Sequence, residues 1–190
     1  MKQLILASTS VYRQELLKRL GLPFQVASPG IDEDAEKAKG FKPQALAERL
    51  AEMKAAALSS DAAVVIGGDQ LVDFEGQILG KPGSEAAAVQ QLQSLAGKTH
   101  RLITAVCVSS SDGNMMITDI TRLTLRKLSL TEIERYVQAD RPLDCAGAYK
   151  IEQQGVALME KIETEDSTAI QGLPLIKLAQ ALRKKGFLIP

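Results

Sequence analysis

The chain has 190 residues, which suits one domain of one or two lobes with a substantial buried core. Lysine plus arginine and aspartate plus glutamate each number 23, so the formal net charge is +0. This balance gives no overall field that would attract nucleic acid or an anionic membrane, and any anion site must be local. No apolar run approaches the roughly 20 residues that a membrane span requires. We therefore expect neither nucleic acid nor a membrane as a partner.

The cysteine and histidine content limits the metal and redox chemistry. Cys107 and Cys145 stand apart in apolar surroundings without CxxC spacing, which favours two buried thiols in a reducing compartment over a disulfide. His100 is the single histidine, so a zinc site would have too few soft ligands. If a metal binds, we expect oxygen ligands and Mg²⁺ or Mn²⁺. The sequence runs within a few residues into an apolar strand, which leaves no space for a signal peptide, and we expect a soluble cytoplasmic protein.

A polar turn lies between the first predicted strand and the first predicted helix. The strand is the apolar run Leu4–Ala7, and the helix ends before Gly21. The turn carries Ser8, Ser10 and Arg13. Hydroxyls and free N–H groups at a helix N-terminus favour an anion, and a guanidinium adds a bidentate phosphate donor. Ser10 could instead simply cap the helix, and the stretch taken alone favours that interpretation.

Two further segments place charged residues where two interpretations are open. A short second strand leads into an acidic loop with Asp32 and Glu33. Such acids usually face solvent, but one of these could hold a divalent cation or activate water. The next helix, Pro43–Ser59, has Lys54 at the margin of its apolar stripe. A lysine in that position commonly extends to solvent, but it could also reach inward to a phosphate.

The most strand-like run of the chain is Ala62–Ile66, which is β-branched and uncharged and predicts a central strand. Gly67 and Gly68 follow it, and they allow a close backbone approach or unusual dihedral angles. Asp69 comes next, followed by Gln70. We expect this carboxylate just beyond the carboxyl end of the strand, where open α/β sheets bind ligands.

The rest of the chain predicts two hairpins, three helices and one less regular segment. The hairpin Leu71–Leu79 leads to the constrained loop Gly80–Gly83, which is not a Walker A motif. This loop presents Lys81, which could lie beside Asp69. The other predicted elements are a helix capped by Ser84, a long hairpin of Arg101–Ser109 and Met115–Leu128, a helix from the capping box at Ser129 to about Ala139, a strand or loop at Cys145–Glu152 and a last helix to about Gly186.

Short motifs follow one another in a fixed order along the chain. They are Ser8-Thr9-Ser10-x-x-Arg13-x-x-Leu16-Leu17, Asp32-Glu33, Lys54-Ala55, Gly68-Asp69-Gln70, Gly80-Lys81-Pro82, Thr99-His100-x-x-x-Thr104, Cys145-Ala-Gly-Ala-Tyr149 and Gly172-Leu-Pro-Leu175. Each motif is weak alone, but their joint order is specific. Together they resemble the Maf family of nucleoside triphosphate pyrophosphatases over essentially the full chain.

Resemblance to the Maf family implies one α/β domain over residues 1–190. The family's fold is an elongated, twisted mixed sheet flanked by helices, similar to inosine triphosphate pyrophosphatases, with two lobes and a central cleft. The resemblance also implies hydrolysis of a nucleoside triphosphate between the α and β phosphates, which gives the monophosphate and pyrophosphate. A divalent cation, Mg²⁺ or Mn²⁺, is the implied cofactor, and a homodimer is the suggested assembly.

The resemblance also implies roles for individual residues. Asp69 matches the family's catalytic acid, taken as the proton acceptor, and Glu33 matches its second acid motif. Both are expected to bind the metal, and which of them is mainly the base stays open. The remaining matched positions are the phosphate-binding Ser8, Ser10 and Arg13 and the family's lysines, Lys54 and Lys81.

Three positions bear on the substrate. Tyr12, Gln70 and Glu152 stand where many pyrimidine-specific Maf proteins have arginine, threonine and glutamine, and this set resembles the subfamily acting on 7-methyl-GTP. An aromatic ring can stack on a cationic methylated purine, and a carboxylate can accept hydrogen bonds from the guanine edge. Val11 replaces the proline that is usual in the first motif.

Two alternatives remain beside 7-methyl-GTP hydrolysis. One is a pyrophosphatase for dTTP or UTP, which belongs to the same enzyme class. The other is a non-catalytic nucleotide-binding regulator of cell division. The acids Asp69 and Glu33 argue against a pure binding protein, because such a protein needs no carboxylates beside a triphosphate.

Overall fold

Strands and helices alternate along residues 2–190, the part of the chain that this computed structural model describes. The strands are β1 (Gln3–Ala7), β2 (Gln25–Ala27), β3 (Ala63–Phe74), β4 (Gln77–Leu79), β5 (Thr99–Ser109), β6 (Met115–Leu125) and β7 (Met159–Glu163). The helices are α1 (Val11–Lys18), α2 (Glu33–Lys37), α3 (Pro43–Ala56), α4 (Glu85–Leu95), α5 (Leu130–Asp140) and α6 (Leu175–Lys184). Short 3-10 turns span Ala146–Ala148, Gln154–Leu158 and Ser167–Gln171.

All seven strands belong to one mixed sheet. Their order is β2-β1-β3-β5-β6-β7, and β4 pairs with β3. β1 runs parallel to both β2 and β3, whereas β4 is antiparallel to β3 and β7 is antiparallel to β6. Parallel neighbours need long crossover connections, and α1 and α3 lie in those connections. The predicted α/β fold with a mixed sheet flanked by helices is confirmed.

The chain forms two compact units. The first contains the chain up to Gln70 together with Thr104–Asp119 and Asp166–Pro190, and the second contains Leu71–Ile103 and Ile120–Glu165. The single domain over residues 1–190 and the central cleft stay predictions. None of the helices within residues 2–190 combines the length and the apolar character needed to cross a membrane.

Each unit has its own apolar packing. The core of the first unit joins β1, α1, β3, β5 and α6 through buried aliphatic side chains, among them Leu6, Leu17, Ile66, Val106 and Leu182. In the second unit α4 packs against α5. α5 begins with the predicted capping box: Ser129 Oγ accepts from the Glu132 N–H, and the Glu132 carboxylate accepts from the Ser129 N–H.

β3 continues past the point where the sequence predicted its end. The expected position of Asp69 beyond the strand was wrong, because Asp69 lies inside the continuous strand Ala63–Phe74. Gly67 does not form a turn. A Cβ at Gly67 would lie 2.3 Å from the Ala51 carbonyl oxygen and 2.4 Å from the Ala55 nitrogen. Of the two uses expected for the paired glycines, close backbone approach is the one that Gly67 serves, because it lets α3 lie directly on the strand.

Two other segments differ from their predicted form. The acidic loop continues as the short helix α2, with Asp32 as its N-cap and Glu33 as its first residue. Asp32 Oδ1 accepts from the Ala35 N–H at 3.0 Å, and acidic residues in the first turn favour the helix dipole. The stretch predicted as a strand or loop at Cys145–Glu152 contains a 3-10 turn, Ala146–Ala148.

The contact at Gly67 predicts a specific loss of stability. We expect Gly67→Ala to destabilise the protein by about 2–4 kcal/mol. The added methyl group would clash with backbone atoms of α3, which cannot rotate away as a flexible side chain can. The measurement is the free energy of unfolding in urea. Gly80→Ala is the matched control, since a Cβ at Gly80 would have no heavy atom within 4 Å. Equal stability of the two variants would contradict the close contact between α3 and β3.

Candidate active site

A lysine lies between two carboxylates in the first unit. Lys54 Nζ is 2.8 Å from Asp69 Oδ1 and 2.8 Å from Glu33 Oε1. Lys54 and Asp69 are only 6% and 7% exposed, and Glu33 is half-buried. Three of the predicted site residues, which are well separated in the sequence, therefore share one ion-pair cluster.

The local sequence explains why Lys54 points inward. Alternate residues of a strand face the same side, so Asp69 and Gly67 share one face of β3. Gly67 brings that face against the α3 backbone at Ala51 and Ala55. Lys54 lies on the same helix, next to Ala55, and its ammonium reaches Asp69. Lys54 therefore points inward rather than to solvent, and its partner here is a carboxylate. Its contact with a phosphate stays a prediction.

The environment of Asp69 changes its acidity. Burial raises the pKa of Asp69 above its usual value, and the ammonium of Lys54 and the guanidinium of Arg13 oppose that rise. The neighbouring Glu33 carboxylate adds to it. A carboxylate with a raised pKa is a better proton acceptor than an ordinary aspartate near neutral pH.

Arg13 belongs to the same electrostatic cluster. Burial lowers the pKa of its guanidinium, and the charges of Asp69 and Glu33 oppose that effect. Its Nε donates to the Gly172 carbonyl oxygen at 3.2 Å, and its second guanidinium nitrogen donates to Ser8 Oγ at 3.4 Å. The side chain is therefore held by protein groups, and its charge interacts with the charges of the two acids.

The serines frame the N-terminus of α1. Ser10 is the N-cap, and its Oγ accepts from the Arg13 backbone N–H at 3.4 Å. Ser8 follows β1 and is buried, and its Oγ accepts from the Ser10 N–H at 3.2 Å. The capping interpretation of Ser10 is correct. The phosphate-binding role of both hydroxyls stays a prediction.

Gln70 is anchored on the other side of β3. Its Nε2 donates to Thr104 Oγ1 at 2.8 Å and to the carbonyl oxygens of Ala169 and Ile170 at 2.9 and 3.2 Å. Thr104 Oγ1 also donates to the Ala169 carbonyl oxygen at 3.0 Å. The amide nitrogen of this predicted specificity residue is thus fixed by the protein itself.

Comparison with known families decides what kind of protein this is. A family model described as "Maf-like protein" matches residues 3–185. The chain belongs to this family. The resemblance drawn from the ordered motifs is confirmed.

Several relatives of this Maf-like chain carry the same name. It is 57% identical over 181 residues to the 7-methyl-GTP pyrophosphatase of Bdellovibrio bacteriovorus. The aligned residues cover 95% of this chain and 96% of the relative. It is 47% identical over 192 residues to the 7-methyl-GTP pyrophosphatase of Xanthomonas oryzae pv. oryzae, with 100% of both chains covered. The 7-methyl-GTP pyrophosphatase of Albidiferax ferrireducens is 44% identical over 190 residues, which cover 97% of this chain and 94% of the relative.

The remaining predicted site residues of the Maf-like chain fall in two places. Tyr12 is in the first unit, partly buried in the first turn of α1 beside Arg13. Lys81 and Glu152 belong to the second unit, where both are exposed. Lys81 precedes α4, and Glu152 lies between two 3-10 turns. The roles of these three residues stay predictions.

His100, which belongs to one of the ordered motifs, is buried in the second unit and contacts a tyrosine hydroxyl. Its Nε2 lies 2.9 Å from Tyr149 Oη, and the residue is 2% exposed. Burial lowers the pKa of His100 to about 4, so the ring is neutral near pH 7. Cys107 and Cys145 form no disulfide, as the sequence predicted. Cys107 is buried as expected, but the expectation that Cys145 is also buried was wrong, because Cys145 is partly exposed.

Sequence reasoning missed the backbone groups that hold Arg13 and Gln70. These are the carbonyls of Ala169, Ile170 and Gly172, and a carbonyl has no side-chain signature. The glycine at position 172 was an indirect signal of an unusual turn. Its φ is 116°, an angle that glycine adopts easily.

The donor set at Asp69 and Glu33 suits a hard divalent cation. Both side chains offer carboxylate oxygens, and they already converge on one cationic group, the Lys54 ammonium. Within residues 2–190, no group of three or more His, Cys, Asp or Glu side chains is arranged as a metal site. Mg²⁺ commonly binds through one or two carboxylates while substrate phosphates and waters complete its coordination. The pair therefore fits a cation that binds together with a triphosphate.

Proposed function

We propose that this Maf-like chain hydrolyses 7-methyl-GTP between the α and β phosphates, giving 7-methyl-GMP and pyrophosphate. The relatives that bear the name 7-methyl-GTP pyrophosphatase match nearly the whole chain and support the reaction and its substrate. The structural observation behind the proposal is the cluster of Arg13, Lys54, Glu33 and Asp69 in one unit. This cluster could supply cations for binding a polyphosphate and a base for activating water.

The proposed roles follow from the contacts. Arg13 and Lys54 bind phosphate oxygens, and the N-terminus of α1 adds N–H donors and the hydroxyls of Ser8 and Ser10. Asp69 accepts a proton from a water molecule whose oxygen attacks the α phosphorus. The bond from that phosphorus to the bridging oxygen breaks, and pyrophosphate leaves. Positioning and charge stabilisation supply most of the rate acceleration in such reactions.

Charge balance supports a divalent cofactor. Without a nucleotide, the charges of Asp69 and Glu33 are balanced by those of Lys54 and Arg13. A triphosphate adds several negative charges to this neutral cluster, so further positive charge is needed. We infer that Asp69 and Glu33 hold Mg²⁺ or Mn²⁺, which when bound stabilises the charge that develops on the phosphoryl oxygens.

Base recognition is assigned to Tyr12, Gln70 and Glu152. The Tyr12 ring can stack on the cationic 7-methylguanine, and the Glu152 carboxylate can accept from the guanine N1–H and amino group. Lys81 is proposed to complete phosphate binding. The homodimer that the resemblance suggests and the cytoplasmic location expected from the sequence stay predictions. The nucleotide is the partner that the reaction requires.

Loss of the proposed base should stop turnover. We expect Asp69→Asn to lower kcat by about 100-fold or more, since an amide cannot accept the proton from water. Pyrophosphate release in the presence of Mg²⁺ is the measurement, and circular dichroism checks the fold. Asp61→Asn is the control, because Asp61 is exposed. Near-normal turnover of Asp69→Asn would remove Asp69 from this role.

A substrate panel tests the base preference. We expect kcat/KM for 7-methyl-GTP to exceed that for GTP, ITP, dTTP and UTP by at least about tenfold. Stacking on the cationic ring separates 7-methyl-GTP from GTP, and the guanine-edge contacts separate it further from ITP, dTTP and UTP. The combined exchange Tyr12→Arg, Gln70→Thr and Glu152→Gln should shift the preference toward dTTP and UTP. A wild-type preference for dTTP and UTP would support the pyrimidine alternative, and binding without pyrophosphate release would support the regulator.

The position of Lys54 also predicts how the metal binds. We expect Lys54→Met to raise the affinity for Mn²⁺ without nucleotide by about tenfold, since it removes the cation that contacts both carboxylates. Arg13 and Lys37, whose Nζ is 3.8 Å from Glu33 Oε2, then offset only part of the carboxylates' charge. Free Mn²⁺ measured by electron paramagnetic resonance reports this affinity independently of activity. Lys18→Met is the control, because it breaks the exposed ion pair with Glu15. Unchanged or weaker Mn²⁺ binding in Lys54→Met would show that the metal does not use these carboxylates.

A further inference from the structure

One turn holds two of the predicted site residues by its backbone. We call residues 167–172 the carbonyl turn. Arg13 Nε donates to the Gly172 carbonyl oxygen at 3.2 Å, and Gln70 Nε2 donates to the Ala169 carbonyl oxygen at 2.9 Å. Arg13 is expected to bind phosphate, and Gln70 is expected to set substrate preference. The backbone carbonyls of one turn therefore orient both side chains.

The carbonyl turn is closed by a buried carboxylate. Asp166 is 2% exposed, and its Oδ1 accepts from the Thr168 N–H at 3.0 Å and from Thr168 Oγ1 at 2.6 Å. Its Oδ2 accepts from the Ile176 N–H at 2.8 Å, and Thr168 Oγ1 accepts from the Leu175 N–H at 2.9 Å. Asp166 and Thr168 thus tie the start of the turn to the first residues of α6.

We propose that Asp166 is a positioning residue for the site: by fixing the carbonyl turn it sets the orientation of the Arg13 guanidinium and the Gln70 amide. The inference rests on the proposed pyrophosphatase function. A carboxylate offers only acceptors, which matches the donors that Thr168 and Ile176 present to it. An asparagine would bring its amide N–H₂ against one of those N–H groups, and the turn would have to move.

Movement of the turn is transmitted to the site because the packing is tight. A Cβ at Gly172 would lie 3.3 Å from Arg13 Cγ, and one at Gly68 would lie 3.3 Å from Arg13 Nε. The Arg13 side chain therefore runs between two backbone segments with little free space, and it must follow the Gly172 carbonyl. Gln70 must likewise follow the carbonyls that accept its amide hydrogens.

The test measures substrate preference as well as rate. We expect Asp166→Asn to lower kcat/KM for 7-methyl-GTP by about 10- to 100-fold, since small misplacements of binding groups have effects of that size. The ratio of kcat/KM for 7-methyl-GTP to that for GTP should also fall. Thr168→Val should act in the same direction, and Thr168→Ser should stay near wild type, because serine keeps the hydroxyl. Asp112→Asn, which breaks the surface pair of Asp112 with Lys2, is the matched control.

A double variant separates positioning from mere stabilisation. If Asp166 acts through the Gln70 amide, adding Asp166→Asn to Gln70→Ala should leave the substrate ratio as it is in Gln70→Ala alone. Asp166→Asn with a lower melting temperature but an unchanged rate and ratio would overturn the proposal. If Asp166→Asn does not fold, the proposal is tested by comparing the substrate ratios of Thr168→Val and Thr168→Ser. Equal ratios in these two variants would overturn the proposal.

The same assay distinguishes failure of this inference from failure of the proposed function. Wild-type turnover of 7-methyl-GTP together with a neutral Asp166→Asn variant rejects only the positioning role. A wild-type protein that releases no pyrophosphate from any of the triphosphates rejects the function and, with it, this inference.

Discussion

The ion-pair cluster around Lys54 is the constraint on which the site depends. Buried charges are costly unless they are paired, and Lys54 and Asp69 are both almost fully buried. Lys54 meets this requirement by contacting Asp69 and Glu33 together, and Arg13 adds a second positive charge near both acids. The cluster is therefore neutral before a nucleotide binds. An incoming polyphosphate would add negative charge to it, and this is the reason for proposing a divalent cofactor.

The cluster is a consequence of packing between a helix and a strand. Lys54 can reach Asp69 because α3 lies on β3 with no side chain between them at Gly67. A larger residue there would move the helix away and with it the ammonium. Gly67 is thus required for the packing of α3 on β3. The distance between Lys54 and Asp69 depends on that packing. Stability of the core and geometry of the site are coupled through this one contact.

The sequence could predict the family, the order of the elements and most of the candidate residues. Apolar runs, the capping box at Ser129 and the ordered motifs are local signals, and they were sufficient for these points. The end of β3 could not be predicted, because glycines such as Gly67 normally weaken a strand and only the contact with α3 explains them. The inward direction of Lys54 depends on a partner that is distant in sequence. The carbonyls that hold Arg13 and Gln70 have no side-chain pattern at all.

The alternation of β3 explains why two glycines precede Asp69 and Gln70. Gly67 and Asp69 share one face of the strand, where the first admits α3 and the second meets Lys54 on that helix. Gly68 and Gln70 share the opposite face. There Gly68 leaves space for the Arg13 side chain, and Gln70 binds the carbonyl turn that also accepts from Arg13. On each face a glycine admits a partner, and the polar residue two positions later contacts that partner or the turn that holds it. One short stretch of strand thereby places a proposed base on one side and a proposed specificity residue on the other.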